Sequence, residues 1–155
     1  MRNSSSLLQN KCTERGWHLT KGQFARYQGG GYTHYWRIKP SPTTKYWIIF
    51  AHAWGYDALF PNLSLFFELL THGYGVFSFD LDGHGTESST FLHTDHFPSA
   101  LDDALKQLEA PYNHCHLIGF SLGGALVLHQ LSQHSNTFCS ATVISTPIQI
   151  KITIN

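Results

Sequence analysis

The residues Gly119-Phe120-Ser121-Leu122-Gly123, with Gly124 behind them, constrain this chain more than any other stretch. They read G-x-S-x-G. Ahead of them, Cys115-His116-Leu117-Ile118 is a short apolar run suited to a buried parallel strand. Behind them, residues 125–131 suit a helix. The serine is therefore expected on a sharp strand-to-helix turn. Such a turn strains the backbone at the serine and brings strand and helix so close that side chains in place of the glycines would clash. It pushes the hydroxyl out at the top of the sheet. It also aims the N–H of Leu122, at the helix N-terminus, toward an oxyanion developing there.

The remaining pattern supplies a sheet for that turn to sit on. Residues 1–22 are polar and read as an irregular leader. Phe24-Ala25-Arg26-Tyr27 and residues 32–38 fit an antiparallel hairpin around Gly29-Gly30-Gly31. Residues 46–51 form a continuous apolar run, expected as a central strand buried on both faces. Residues 60–71 carry Leu63, Phe66, Phe67 and Leu70 on one helical face, with Gly73 just past the end. A strand over 74–79 runs into the turn-rich Asp80-Leu81-Asp82-Gly83-His84-Gly85. Ser99 is placed to cap a helix with Leu101, Ala104, Leu105 and Leu108 as its apolar stripe, closed by Pro111. A last strand is expected over 140–145. Strands alternating with helices after a leading hairpin mean an α/β fold with a mostly parallel sheet. One domain over 23–147 accounts for it, with no linker and no internal repeat. In the tail, 148–155, Ile148, Ile150, Ile152 and Ile154 alternate with polar residues. That period fits a half-buried edge strand, and equally a tail created by a lost reading frame.

Several function classes fall away. Ten basic residues balance ten acidic ones and no basic cluster stands out, so nothing points to nucleic acid. The eleven histidines are scattered without zinc-site spacing; His114 and His116 flank a cysteine but alternate along a strand, so no metal is expected. Cys12, Cys115 and Cys139 are an odd number without framework spacing, two of them in expected buried strands, and read as reduced thiols of a cytoplasmic protein. The first residues lack a signal-peptide core, and no apolar run is long enough to span a membrane.

Three segments in order, Phe50-Ala51-His52-Ala53-Trp54-Gly55, residues 79–88, and Leu117-Ile118-Gly119-Phe120-Ser121-Leu122-Gly123-Gly124, resemble the α/β-hydrolase superfamily over about residues 30–147. The first is similar to that family's His-Gly loop, with Ala53 where glycine is usual. The second is similar to its Asp-x-x-Gly-His-Gly-x-Ser loop, and the third to its nucleophile elbow. The style is that of the lysophospholipase, monoacylglycerol lipase and serine aminopeptidase branch. The resemblance implies an α/β-hydrolase fold and a serine hydrolase acting on carboxylic esters or related acyl substrates. It makes Ser121 the nucleophile, Gly119 and Gly123 the elbow glycines, and the N–H groups of Trp54 and Leu122 the oxyanion hole. The Trp54 side chain is also suited to an apolar pocket wall. His52 is expected to brace its loop. His84 is the one base candidate within the chain, although the family uses that loop structurally. No cofactor is implied.

In this fold the order is Ser, then Asp or Glu, then His. Here no acidic residue follows Glu109. The triad acid and base are therefore expected outside this sequence, and the chain reads as an N-terminal half, truncated one strand after the elbow. Two further βα units and a cap would need on the order of 100 more residues. On that reading the chain is inactive by itself. The alternative is a non-catalytic remnant: a truncated gene product, or a module that binds a partner through its open sheet edge. An open sheet edge would favour self-association.

Overall fold

The computed structural model describes residues 4–85, 90, 92–93 and 95–146. A helix, α1 (Ser4–Arg15), leads into an antiparallel hairpin, β1 (His18–Ala25) and β2 (Tyr32–Lys39). Then follow β3 (Trp47–Ala51), α2 (Leu63–Thr71), β4 (Gly75–Phe79), α3 (Ala100–Leu108), β5 (Cys115–Phe120), α4 (Leu122–Gln133) and β6 (Ser140–Ile144). Among the described residues they form one sheet of order β1-β2-β4-β3-β5-β6. β2 joins β4 antiparallel, while β4, β3, β5 and β6 are parallel. This is the α/β architecture expected from the alternation of strand and helix.

Side-chain alternation along the strands makes two cores. Trp47, Ile49 and Ala51 of β3 and Phe77 and Phe79 of β4 pack with α3 and α4. Ile48 and Phe50 point to the other face, where Phe50 joins Trp36, Ile38 and Val76 against α1 and α2. Both β3 and β4 are buried along their whole length, as their apolar runs require.

The polar leader expected over 1–22 is corrected: residues 4–15 are helical and β1 begins at His18. Leu8 and Cys12, one turn apart, are fully buried and fasten α1 to the sheet beside Trp36 and Ile38. Gly16 stops the helix at φ 68°, and Trp17 N–H donates back to Cys12 C=O at 2.9 Å, closing the last turn. α2 starts at Leu63 rather than residue 60, because the Asp57 carboxylate accepts the N–H groups of Leu59 and Phe60 and holds a turn there. Ser99 does not cap α3. It already has helical backbone angles, and its hydroxyl donates to His96 C=O.

The three cysteines are free thiols. Burial pushes the Cys12 thiol up to about 11 and the Cys115 thiol up to about 12. Cys139 was expected inside but lies exposed, just before β6, where four of the five strand residues are exposed as well. The expected tail strand lies outside the described residues. No helix among the described residues is long and apolar enough to cross a membrane.

Candidate active site

Ser121 sits between β5 and α4 with φ 46° and ψ −109°, a conformation that L residues adopt only under strain. The glycines around it explain why the turn closes. A Cβ on Gly119 would come within 2.5 Å of Gly123 C=O, so strand and helix touch backbone to backbone. A Cβ on Gly123 would overlap the carbonyls of Ala51 and His52 at the end of β3. Gly123 N–H donates to His52 C=O at 3.1 Å, and Ser121 N–H donates to Ile144 C=O at 2.9 Å. The turn is therefore pinned from both neighbouring strands. The N–H of Leu122, first residue of α4, belongs to the helix turn whose donors have no intrahelical acceptor.

The bond from Gly123 to His52 brings the loop after β3 against this turn. His52 is fully buried. Its Nε2 accepts the N–H of Leu81 at 2.9 Å, so the proton sits on Nδ1, which donates to Ala53 C=O at 2.8 Å. Both ring nitrogens are thus engaged in joining two loops, and His52 braces rather than reacts. Burial pushes its ring down to about 4, helped by nearby His84 and opposed by the Ala53 carbonyl.

Trp54 lies two residues further on, with its side chain 62% exposed and its ring edge-on to His84 at 5.1 Å. His84 donates from Nδ1 to Asp82 C=O at 2.9 Å and its ring also packs on His52. Asp80 is buried; its carboxylate accepts Ala58 N–H at 2.9 Å, and Gly85 lies so close that any Cβ there would overlap it. These contacts hold the loop after β4 as scaffold.

One component had no signal in the sequence. Arg26, at the end of β1, is buried and donates from Nε and Nη2 to the two oxygens of Asp82, each at 2.8 Å. Its Nη1 donates to Asp103 on α3, and Nη2 also donates to His96 C=O at 2.9 Å. Burial alone would lower the guanidinium, but the bonds and charges of Asp82 and Asp103 outweigh it and hold the pKa above its usual value. The cluster ties the β4 loop to β1 and α3.

The His52 geometry has a pH consequence. Its pKa falls from the ordinary 6.5 to about 4 on folding, so the unfolded chain binds the proton first as pH drops. Stability from this group is complete above pH 6.5 and is lost between 6.5 and 4, by about 3 kcal/mol in total. Urea midpoints across that range should fall less steeply for His52→Gln than for the parent. Identical slopes would contradict the neutral, buried ring.

Residues 48–152 match the family model described as the alpha/beta hydrolase family. In fold, the chain is similar to the esterase Pf2001 of Pyrococcus furiosus, at 21% identity and a TM-score of 0.72, over 88% of this chain and 55% of that one. It is similar also to the esterase EaEST of Exiguobacterium antarcticum, at 20% identity and a TM-score of 0.67, over 81% and 45%. A third similar structure is mouse alpha/beta hydrolase domain-containing protein 10, at 20% identity and a TM-score of 0.67, over 82% and 50%. The chain thus spans about half the length of these proteins. No curated protein matches it in sequence.

Proposed function

The chain belongs to the alpha/beta hydrolase family, and on that premise we propose that it carries the nucleophile half of a cytoplasmic serine hydrolase acting on carboxylic esters or related acyl substrates. Ser121 Oγ attacks the acyl carbon, and the N–H groups of Leu122 and Trp54 receive the oxyanion. Gly119 and Gly123 allow the turn that presents the hydroxyl. The observation that carries this reading is the strained φ of 46° at Ser121, within G-x-S-x-G and at the first turn of α4. The triad acid and base come from residues other than those described here. The sequence Asp80-Leu81-Asp82-Gly83-His84-Gly85 favours the lysophospholipase, monoacylglycerol lipase and serine aminopeptidase branch.

The test is hydrolysis of short-chain nitrophenyl esters by the natural polypeptide that contains these residues. Ser121→Ala should lower turnover on the order of 10⁴-fold or more. Turnover that survives the substitution would sink the assignment. β6 is the last strand of the sheet among the described residues and four of its five residues are exposed, which favours a second reading, a non-catalytic fragment that pairs with a partner strand or a second copy there. The size of the polypeptide in its source cell separates the two: a longer chain supports the enzyme, a stable short one the fragment.

A further inference from the structure

The sheet has a recess at the end away from Ser121. Trp47, Gly75 and Cys115 stand in register where β3, β4 and β5 begin. Beneath them, between the β2–β3 connection and the segment after α3, lies an open cleft of about 510 Å³. Its charge is lopsided. Arg37, Lys39 and Lys45 line it against a single carboxylate, Glu109, in a chain whose formal net charge is zero. No ion pair among the described residues joins any of the three cations to an acid.

Arg37 is the telling member. Its guanidinium lies over the Trp47 ring, 4.9 Å from the centroid. Its Nε is shut off from solvent and has no acceptor among the described residues. Thr43 and His114 add further polar groups to the lining.

We propose that this cleft binds a phosphate monoester. A guanidinium lying over an aromatic ring, with two lysines in the same lining, matches the several oxygens and the double negative charge of a phosphoryl group. Three cations less one carboxylate leave two positive charges to meet it. The volume falls within the roughly 300–1,000 Å³ typical of small-ligand sites, so the cleft has room for the esterified group as well as the anion. The site lies at the opposite end of the strands from Ser121 and is independent of the hydrolase reading.

Calorimetric titration of the chain with glycerol phosphate, and co-sedimentation with phosphatidylcholine vesicles containing phosphatidic acid, test this. Binding of glycerol phosphate assigns a soluble ligand, and binding of the vesicles alone assigns a lipid headgroup; either supports the site. Arg37→Gln should weaken binding roughly tenfold or more, the value of one charge-assisted contact. Lys39→Gln, which leaves the Trp47 stacking intact, should weaken it as well and covers the case in which Arg37→Gln fails to fold. Glu109→Gln should tighten it by removing the repelling charge. Binding of neither probe, or binding indifferent to both Arg37→Gln and Lys39→Gln, overturns the proposal.

Discussion

Assayed alone, the 155-residue chain is expected to turn over a short-chain nitrophenyl ester barely above background, and Ser121→Ala is expected to change that rate little. The reasoning starts from the hydroxyl, which is a weak nucleophile without an adjacent base. Loss of the histidine from a Ser-His-Asp triad costs on the order of 10⁶-fold in turnover, while an intact oxyanion hole and binding retain roughly 10³-fold over water. The strained turn at Ser121 is present here. Two histidines in the loops after β3 and β4, His52 and His84, make their hydrogen bonds to groups other than Ser121. His52 uses one ring nitrogen to accept from Leu81 and the other to donate to Ala53, and burial pushes it down to about 4. Taking a proton from Ser121 would mean breaking the Leu81 bond and charging a fully buried ring. His84 donates from Nδ1 to Asp82 C=O and packs its ring on His52 and Trp54, and among the described residues no hydrogen bond joins its Nε2 to Ser121. A fluorophosphonate probe should accordingly label Ser121 slowly. Brisk turnover that vanishes with Ser121→Ala would show that a base resides in this chain after all, and His84 would be the first residue to replace.

What could be read from the sequence divides along the range of the forces involved. The turn at Ser121 was legible because its causes are local. An apolar strand, a helical run and glycines at fixed spacing lie within about twenty residues, and the backbone contacts of Gly119 with Gly123 follow from that spacing. The β3 and β4 strands were legible because burial on both faces demands unbroken apolar runs. α1 was not. It buries only Leu8 and Cys12, and the rest of its surface is polar enough to resemble a loose leader. The helix exists because those two side chains fill a place beside Trp36 and Ile38, which no local pattern announces. Ser99 failed as a cap for a related reason: its hydroxyl is drawn to His96 C=O and takes a bond from Arg26, 73 residues away in sequence. Cys139 looked apolar enough for a core, yet it precedes an edge strand whose side chains are mostly exposed.

Arg26→Ala is expected to destabilise the fold by about 3–5 kcal/mol, the usual cost of breaking a buried ion cluster by removing one partner. Arg26, Asp82 and Asp103 are each less than 5% exposed. Truncation would leave two carboxylates in the interior without their shared cation, and Lys106 is near Asp103 only on the exposed side of α3, at 3.6 Å. Against a total stability of roughly 5–15 kcal/mol for a domain, that loss is enough to move a urea midpoint by a large fraction of its value. Two further variants distinguish charge from shape. Arg26→Lys keeps the cation but loses the paired bonds to both Asp82 oxygens, so it should fall between the parent and Arg26→Ala. Arg26→Met combined with Asp82→Asn and Asp103→Asn removes the charges together and should recover much of the loss, because the penalty lies in the unpaired carboxylates rather than in the absent arginine. A midpoint for Arg26→Ala within the shift expected of about 1 kcal/mol would mean that water or another group relieves the carboxylates. The consequence for the site is indirect. Asp82 stands two residues from both Asp80 and His84, so loosening the cluster frees the loop that carries Leu81, the donor that holds His52 Nε2 beside the turn at Ser121.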